Sequence, residues 1–120
     1  IFVGAKWLEQ GFNPKDIWSH SRLHKQDPER EEHPTQKPLA IIGRMIKASS
    51  PKNGIVFDPF MGSGTTAISC IRNGRRYTGF EINKDYYKII QNRILRETSN
   101  ESLFAQLPLT NRNESIITSV

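Results

Sequence analysis

Apolar residues fall on two different periods along the middle of the chain. At Leu39, Ile42, Met45 and Ile46 they recur with helical spacing, which predicts a helix opening near Pro38 with those side chains toward a sheet. Ser49, Ser50, Pro51 and the Asn53-Gly54 pair end it. Ile55 to Asp58 is instead a compact apolar run bounded by turn residues, the pattern of a buried strand in a parallel sheet. Gly62-Ser63-Gly64 then turns the chain into a second helix, Thr65 to Asn73, closed by Gly74. Tyr77 to Ile82 predicts another strand. A last helix follows from Lys84 to Glu97, capped by Asn83 or Asp85, with Tyr86, Ile89, Ile90 and Ile94 on one face. Strand, helix, strand and helix with short links make a βαβ unit, so the predicted class is α/β with a parallel core.

The flanks follow neither period. Before residue 33, Ile1-Phe2-Val3 is a possible strand end, Asn13-Pro14 marks a turn, and Lys15 to Trp18 reads as a short extended piece. Ser19 to Glu32 is a charged loop with Arg22, His24 and Lys25 ahead of Asp27, Glu29, Glu31 and Glu32. It reads either as a solvated flexible loop or as one whose Arg22 and Lys25 touch phosphates. From Thr98 the period is lost; Leu103, Phe104, Leu107 and Leu109 suit a packing strap, and the end of the chain reads as loose. The organisation expected is an irregular segment at 1–32, a ligand-binding βαβ region at 33–97 and a tail at 98–120.

Composition narrows the class without naming a function. At 120 residues, 36% apolar and 24% charged, the chain has the size and balance of one globular domain. No apolar run approaches the roughly 20 residues of a membrane span, and the opening residues lack the form of a signal peptide. The single cysteine, Cys70, has no internal disulfide partner, which fits a reducing cytoplasm. A net charge of +5 permits a polyanionic partner, although the basic excess is spread along the chain. The first residue is Ile1, as expected of a processed chain or a piece of a longer one. Trp7 and Trp18 suit either a core or an interface, with a second copy among the candidates.

The chemistry concentrates in Ile55-Val-Phe-Asp-Pro-Phe-Met-Gly-Ser-Gly-Thr-Thr66. A strand end, a glycine turn and a helix start bring backbone N–H groups toward a ligand, and glycine removes the side chains that would hold it away. A phosphate-binding P-loop needs Lys and Ser/Thr after its second glycine, and Thr65-Thr66 follow Gly64 here. Gly62-Ser63-Gly64-Thr65-Thr66-Ala67 does match a dinucleotide pattern. S-adenosylmethionine is the third candidate. Asp58 at the strand end suits its cationic methionyl part, whereas beside a pyrophosphate it would repel. Glu81, 17 residues after Gly64, ends the second strand where an acid accepts ribose hydroxyls in either ligand. Phe60 and Ile82 are placed to flank adenine or methionine.

Three motifs in order, His33-Pro-Thr-Gln-Lys-Pro38, Asp58-Pro-Phe-Met-Gly-Ser-Gly-Thr-Thr66 and Gly79-Phe-Glu-Ile82, resemble the C-terminal part of the DNA amino-methyltransferases. The likeness runs from about Lys15 to Arg96. It implies a partial Rossmann-like methyltransferase fold and S-adenosylmethionine as cofactor. The cofactor contacts it implies are Asp58, Pro59, Phe60, Gly62, Ser63, Gly64, Thr65, Glu81 and Ile82, with Thr35 and Lys37 near the methionine carboxylate. In this family an Asp/Asn/Ser-Pro-Pro-aromatic tetrapeptide holds the target amine, with the base flipped out of the duplex. No Pro-Pro pair occurs in these 120 residues. The resembling group carries that motif upstream of the cofactor motifs, so no residue here is assigned to catalysis, and none to a metal. The resemblance therefore implies the cofactor part of an enzyme that methylates adenine N6 or cytosine N4 of double-stranded DNA. It would act only with a missing catalytic half or a complementing subunit. The alternative is a module that binds S-adenosylmethionine or a partner chain without catalysis.

Overall fold

The computed structural model describes residues 17–104 and 116–119. Helix α1 (Leu39–Ser49) leads into β1 (Ile55–Asp58), α2 (Thr65–Arg72), β2 (Arg76–Glu81) and α3 (Lys84–Phe104), and a last strand, β3, covers Ile116–Ser119. The three strands are parallel in the order β1-β2-β3. Helices α2 and α3 pack beside one another on the sheet, and α1 packs against α2.

The core lies where these helices meet the sheet. Ile46, Met61, Ala67, Cys70, Tyr77 and Ile90 form its buried cluster, with Ile42, Val56, Ile71 and Ile94 packed against it. Helix α1 thus uses Ile42 and Ile46 as expected, but its partner is α2, and Met45 is exposed. Cys70 is fully buried, and burial pushes its thiol up to about 12. Arg75 closes the far end of the layer, donating from Nη2 to the Ser50 carbonyl at 2.7 Å and from Nη1 to the Asn73 carbonyl at 2.6 Å.

Two expectations about the end of the chain are corrected. The last helix does not stop at Glu97 but continues to Phe104, through residues that show no apolar period. Ile116 to Ser119, expected to be loose, pairs in parallel with β2 from Thr78 to Glu81. Ile116, Ile117 and Thr118 are β-branched and favour an extended partner once an edge is offered. Leu107 and Leu109 lie outside the described residues, as do Ile1 to Val3, Trp7, the Asn13-Pro14 turn, and Lys15 and Asp16. Trp18 is half-buried under the Arg44 guanidinium, 4.3 Å from the ring centroid.

The sheet is covered unequally. Tyr77, Gly79 and Glu81 of β2 are buried, while Phe80 on the opposite face is exposed. On β1 the same alternation leaves Ile55 and Phe57 outside, Phe57 at 58% exposure. Phe57 and Phe80 meet edge to face across the strands, 6.0 Å between centroids. Among the described residues, nothing covers this apolar face.

Candidate functional site

Strand β1 ends at Asp58, and the chain doubles back over the sheet through Pro59 to Gly64 before α2 starts. Gly62 and Gly64 both have positive φ, +55° and +78°, which glycine adopts without strain. Asp58 fastens both arms of this loop. Its Oδ1 accepts the Phe60 N–H at 3.0 Å and its Oδ2 accepts the Thr66 hydroxyl at 2.5 Å. The Met61 N–H donates to the Phe80 carbonyl at 3.0 Å, which ties the loop to β2. Glu81, at the end of β2, accepts the Gly62 N–H on Oε2 at 2.7 Å and the Asn83 N–H on Oε1 at 2.8 Å. It is 8% exposed. A carboxylate offers about four acceptor sites, so each acid keeps capacity for a ligand donor after holding the loop.

The His33 to Pro38 segment forms the opposite wall. His33 lies against Gly62, where an added Cβ would stand 3.0 Å from its Nε2, and against Tyr86, with ring centroids 4.3 Å apart. The His33 Nδ1 accepts the Thr35 N–H at 3.3 Å. Gln36 is buried and fixes the preceding loop, accepting the Glu31 N–H at 2.7 Å and donating to the Glu29 carbonyl at 2.5 Å. Lys37 donates from Nζ to the Thr35 carbonyl at 3.1 Å. The Lys37 carbonyl accepts the Thr65 hydroxyl at 3.2 Å, which joins this wall to the start of α2. Beneath the loop, Arg93 of α3 donates to the Ser63 carbonyl at 2.6 Å and faces Glu31, Nε to Oε1 3.6 Å. Burial lowers the Arg93 pKa, and Glu31 and then Glu29 oppose that shift.

Seven of the predicted site residues share one cleft of about 190 Å³: Thr35, Lys37, Asp58, Phe60, Gly62, Ser63 and Thr65. The other four stand around it. Pro59 is exposed on the turn, Gly64 is pressed under Ile90, Glu81 braces the loop, and Ile82 is 78% exposed. Sequence reasoning missed His33, Gln36, Ile42, Met61 and Thr66, which also line the cleft. Two of these, His33 and Gln36, lie inside the His33–Pro38 motif, which contributes more of the cleft than Thr35 and Lys37 alone.

The burial of His33 leads to an expected pH dependence of stability. Burial lowers its pKa below the ordinary 6.5, more than the nearby Glu81 raises it, and Arg30 and Lys37 lower it further. The folded chain therefore favours neutral imidazole, whereas the unfolded chain takes up a proton at about 6.5. This contribution is present above that value and is lost as pH falls through the lowered folded-state pKa. Urea unfolding is expected to show falling stability from pH 7 to pH 5.5, with a smaller fall in His33→Gln. Equal slopes in the two proteins would remove His33 as the cause.

The profile of a family described as DNA methylase, of the N6/N4 methyltransferase type, matches residues 5–92. The chain belongs to that DNA methylase family. It is similar to the type II methyltransferase M.ScaI of Streptomyces caespitosus, 42% identical over 98 residues, which is 78% of this chain and 32% of the relative. It is also similar to the DNA adenine methyltransferase YhdJ of Escherichia coli (strain K12), 46% identical over 76 residues, 63% of this chain and 26% of the relative. In three dimensions it resembles the M1.HpyAVI–SAM complex with a TM-score of 0.56 at 33% identity, covering 68% of this chain and 42% of that one. The DNA methylase fold expected from the motifs is thus the fold observed. The chain spans about a third or less of the length of these two curated relatives.

Proposed function

We propose that this chain is the S-adenosylmethionine-binding part of a site-specific DNA methyltransferase that acts on an exocyclic amine, adenine N6 or cytosine N4. The observation that carries the reading is the pairing of Asp58 and Glu81 at adjacent strand ends, both bonded to one positive-φ glycine loop. Such a loop keeps its backbone clear of Cβ atoms at Gly62 and Gly64, and the two acids suit a sulfonium-bearing nucleoside better than a pyrophosphate. The M1.HpyAVI–SAM complex, similar at 33% identity, supports the same cofactor. The name of YhdJ favours adenine as the target.

In this reading Glu81 takes the ribose hydroxyls, while Thr35 and Lys37 take the methionine carboxylate. Asp58, Pro59, Gly62, Ser63, Gly64 and Thr65 shape the loop, and Phe60, 86% exposed, and Ile82 flank the adenine or methionine part. The bound cofactor supplies an electrophilic methyl group on a cationic sulfur. The chain's own residues orient it; much of the rate of such an in-line transfer comes from holding amine and methyl donor in line. The amine's holder is not among these 120 residues, so the chain alone is expected to bind the donor and not to transfer it. The uncovered apolar face at Ile55, Phe57 and Phe80 supports further methyltransferase structure, in the same chain or a complementing subunit, packing there. The relatives M.ScaI and YhdJ come from bacteria, and with DNA as substrate in such a cell the site of action is the cytoplasm.

Calorimetric titration tests the cofactor. S-adenosylmethionine is expected to bind and NAD is not; binding of NAD alone would sink the reading. A methylation assay on duplex DNA tests the division of labour, since transfer by the isolated 120 residues would show that the acceptor site is here after all. Binding without transfer, even when the remaining methyltransferase portion is supplied, would instead favour a non-catalytic cofactor-binding module.

A further inference from the structure

The loop from Ser19 to Glu32 carries Arg22, His24 and Lys25 ahead of its acids, with Arg30 set among them, and the fold brings Arg30 to the side of the other bases. Asp27 accepts the His24 N–H, and Glu29 Oε2 accepts the Leu39 N–H at the start of α1 at 3.1 Å. Glu31 pairs with Arg96 and faces Arg93. Glu29 and Glu31 are thus engaged with α1 and α3, whereas Asp27 bonds within the loop and Glu32 is exposed. The bases go the other way. Arg22, His24, Lys25 and Arg30 line a cleft of about 520 Å³, joined by Lys37, and no carboxylate lines it. Among the described residues, Arg22, Lys25 and Arg30 form no ion pair. Thr35, Gln36 and Lys37 line both this cleft and the smaller one beside the glycine loop, so the two adjoin along the His33–Pro38 wall.

We propose that Arg22, Lys25 and Arg30 form a phosphate track that carries the backbone of duplex DNA past the Thr35–Lys37 side of the cofactor cleft. The inference rests on the proposed function and adds to it where this chain meets the substrate. Cations without ion pairs along a cleft suit repeated phosphate contacts, which position a duplex without reading its sequence. An enclosed mononucleotide site would call for a glycine loop, and in this fold that loop lines the other cleft. With Glu29 and Glu31 turned toward α1 and α3, the lining of this cleft carries basic side chains and no carboxylate.

The test uses the 120-residue chain and a short fluorescent DNA duplex, with anisotropy read over a series of salt concentrations. Each phosphate contact contributes about 0.9 to the slope of log K against log salt, so the Arg22→Gln/Lys25→Gln/Arg30→Gln variant is expected to lose about 2 to 3 units of slope. Its affinity for S-adenosylmethionine is expected to stay within about twofold of wild type, which also reports that it folds. Lys47→Gln/Lys52→Gln/Lys88→Gln removes three exposed charges elsewhere and is expected to lose no more than one unit. Equal losses in the two triple variants, an unchanged slope in the first, or no duplex binding by wild type at low salt would each overturn the track. Tighter binding of duplex RNA than DNA would overturn the choice of partner. If wild type fails to bind S-adenosylmethionine, it is the proposed function that fails.

Discussion

Gly79→Ala is expected to leave the chain unable to hold its fold. Gly79 sits in β2 directly opposite Asp58 of β1. A Cβ there would lie 2.3 Å from the Asp58 carbonyl oxygen and 2.7 Å from both Cγ and Sδ of Met61. The oxygen is backbone in a paired strand and cannot turn aside without opening the ladder. Met61 is buried in the core and holds the glycine loop to β2 through its N–H. Overpacking ordinarily costs about 1–3 kcal/mol and more against immobile atoms, a large part of the roughly 5–15 kcal/mol that keeps a domain folded. Gly74→Ala is the comparison. Its φ of +66° is unfavourable for alanine, but an added Cβ meets nothing within 4 Å, so only the backbone cost of about 1–2 kcal/mol applies. Urea unfolding followed by circular dichroism should show a modest shift for Gly74→Ala and no cooperative transition for Gly79→Ala. Equal midpoints for the two would mean that β1 and β2 are not in this register.

Much of the fold was legible because punctuation and period agreed. β1 occupies the Ile55–Asp58 run with no shift, and α2 starts at Thr65 as the glycine turn required. The second strand was displaced by a single residue, Arg76 to Glu81 rather than Tyr77 to Ile82. What stayed hidden depends on distant partners. The end of α3 carries Thr98, Ser99 and Asn100, weak helix formers with no apolar stripe, and β3 needs an edge that only the folded sheet supplies.

At the site, spacing identified the residues but not their division of labour. Spacing marks Asp58 and Glu81 as ligand contacts, and in the folded chain each first organises the loop on which a ligand would rest. Arg93 was missed although a signal existed. It falls three residues after Ile90 and one before Ile94, so a cation stands within an apolar stripe. A charge placed so is buried only with partners, here the Ser63 carbonyl and Glu31. Sequence order already sets Arg22, His24 and Lys25 ahead of the acids; what it does not show is that Arg30, between Glu29 and Glu31, shares their cleft.

Glu81→Ala is expected to cost the cofactor about 100-fold or more in affinity. The carboxylate holds two backbone donors at once, Gly62 on the glycine loop and Asn83 at the entry to α3. Removing it strands both in a part-buried position, at about 1–3 kcal/mol for each unsatisfied group. It also deletes the proposed acceptor for the ribose hydroxyls, and each lost factor of ten in affinity corresponds to about 1.4 kcal/mol. Glu81→Gln separates the two contributions. The amide keeps the shape and one acceptor oxygen but presents donors on the other side, so only one of the two N–H groups is satisfied. Calorimetry should place Glu81→Gln between wild type and Glu81→Ala, and thermal melting without cofactor should follow the same order, because the loop loses its brace before any ligand arrives. A Glu81→Ala protein that melts early yet binds S-adenosylmethionine as wild type does would make Glu81 a structural residue alone. One that melts as wild type but cannot bind would make it a ligand contact alone. The two hydrogen bonds, set against the shared strand-end position, argue that both losses occur together.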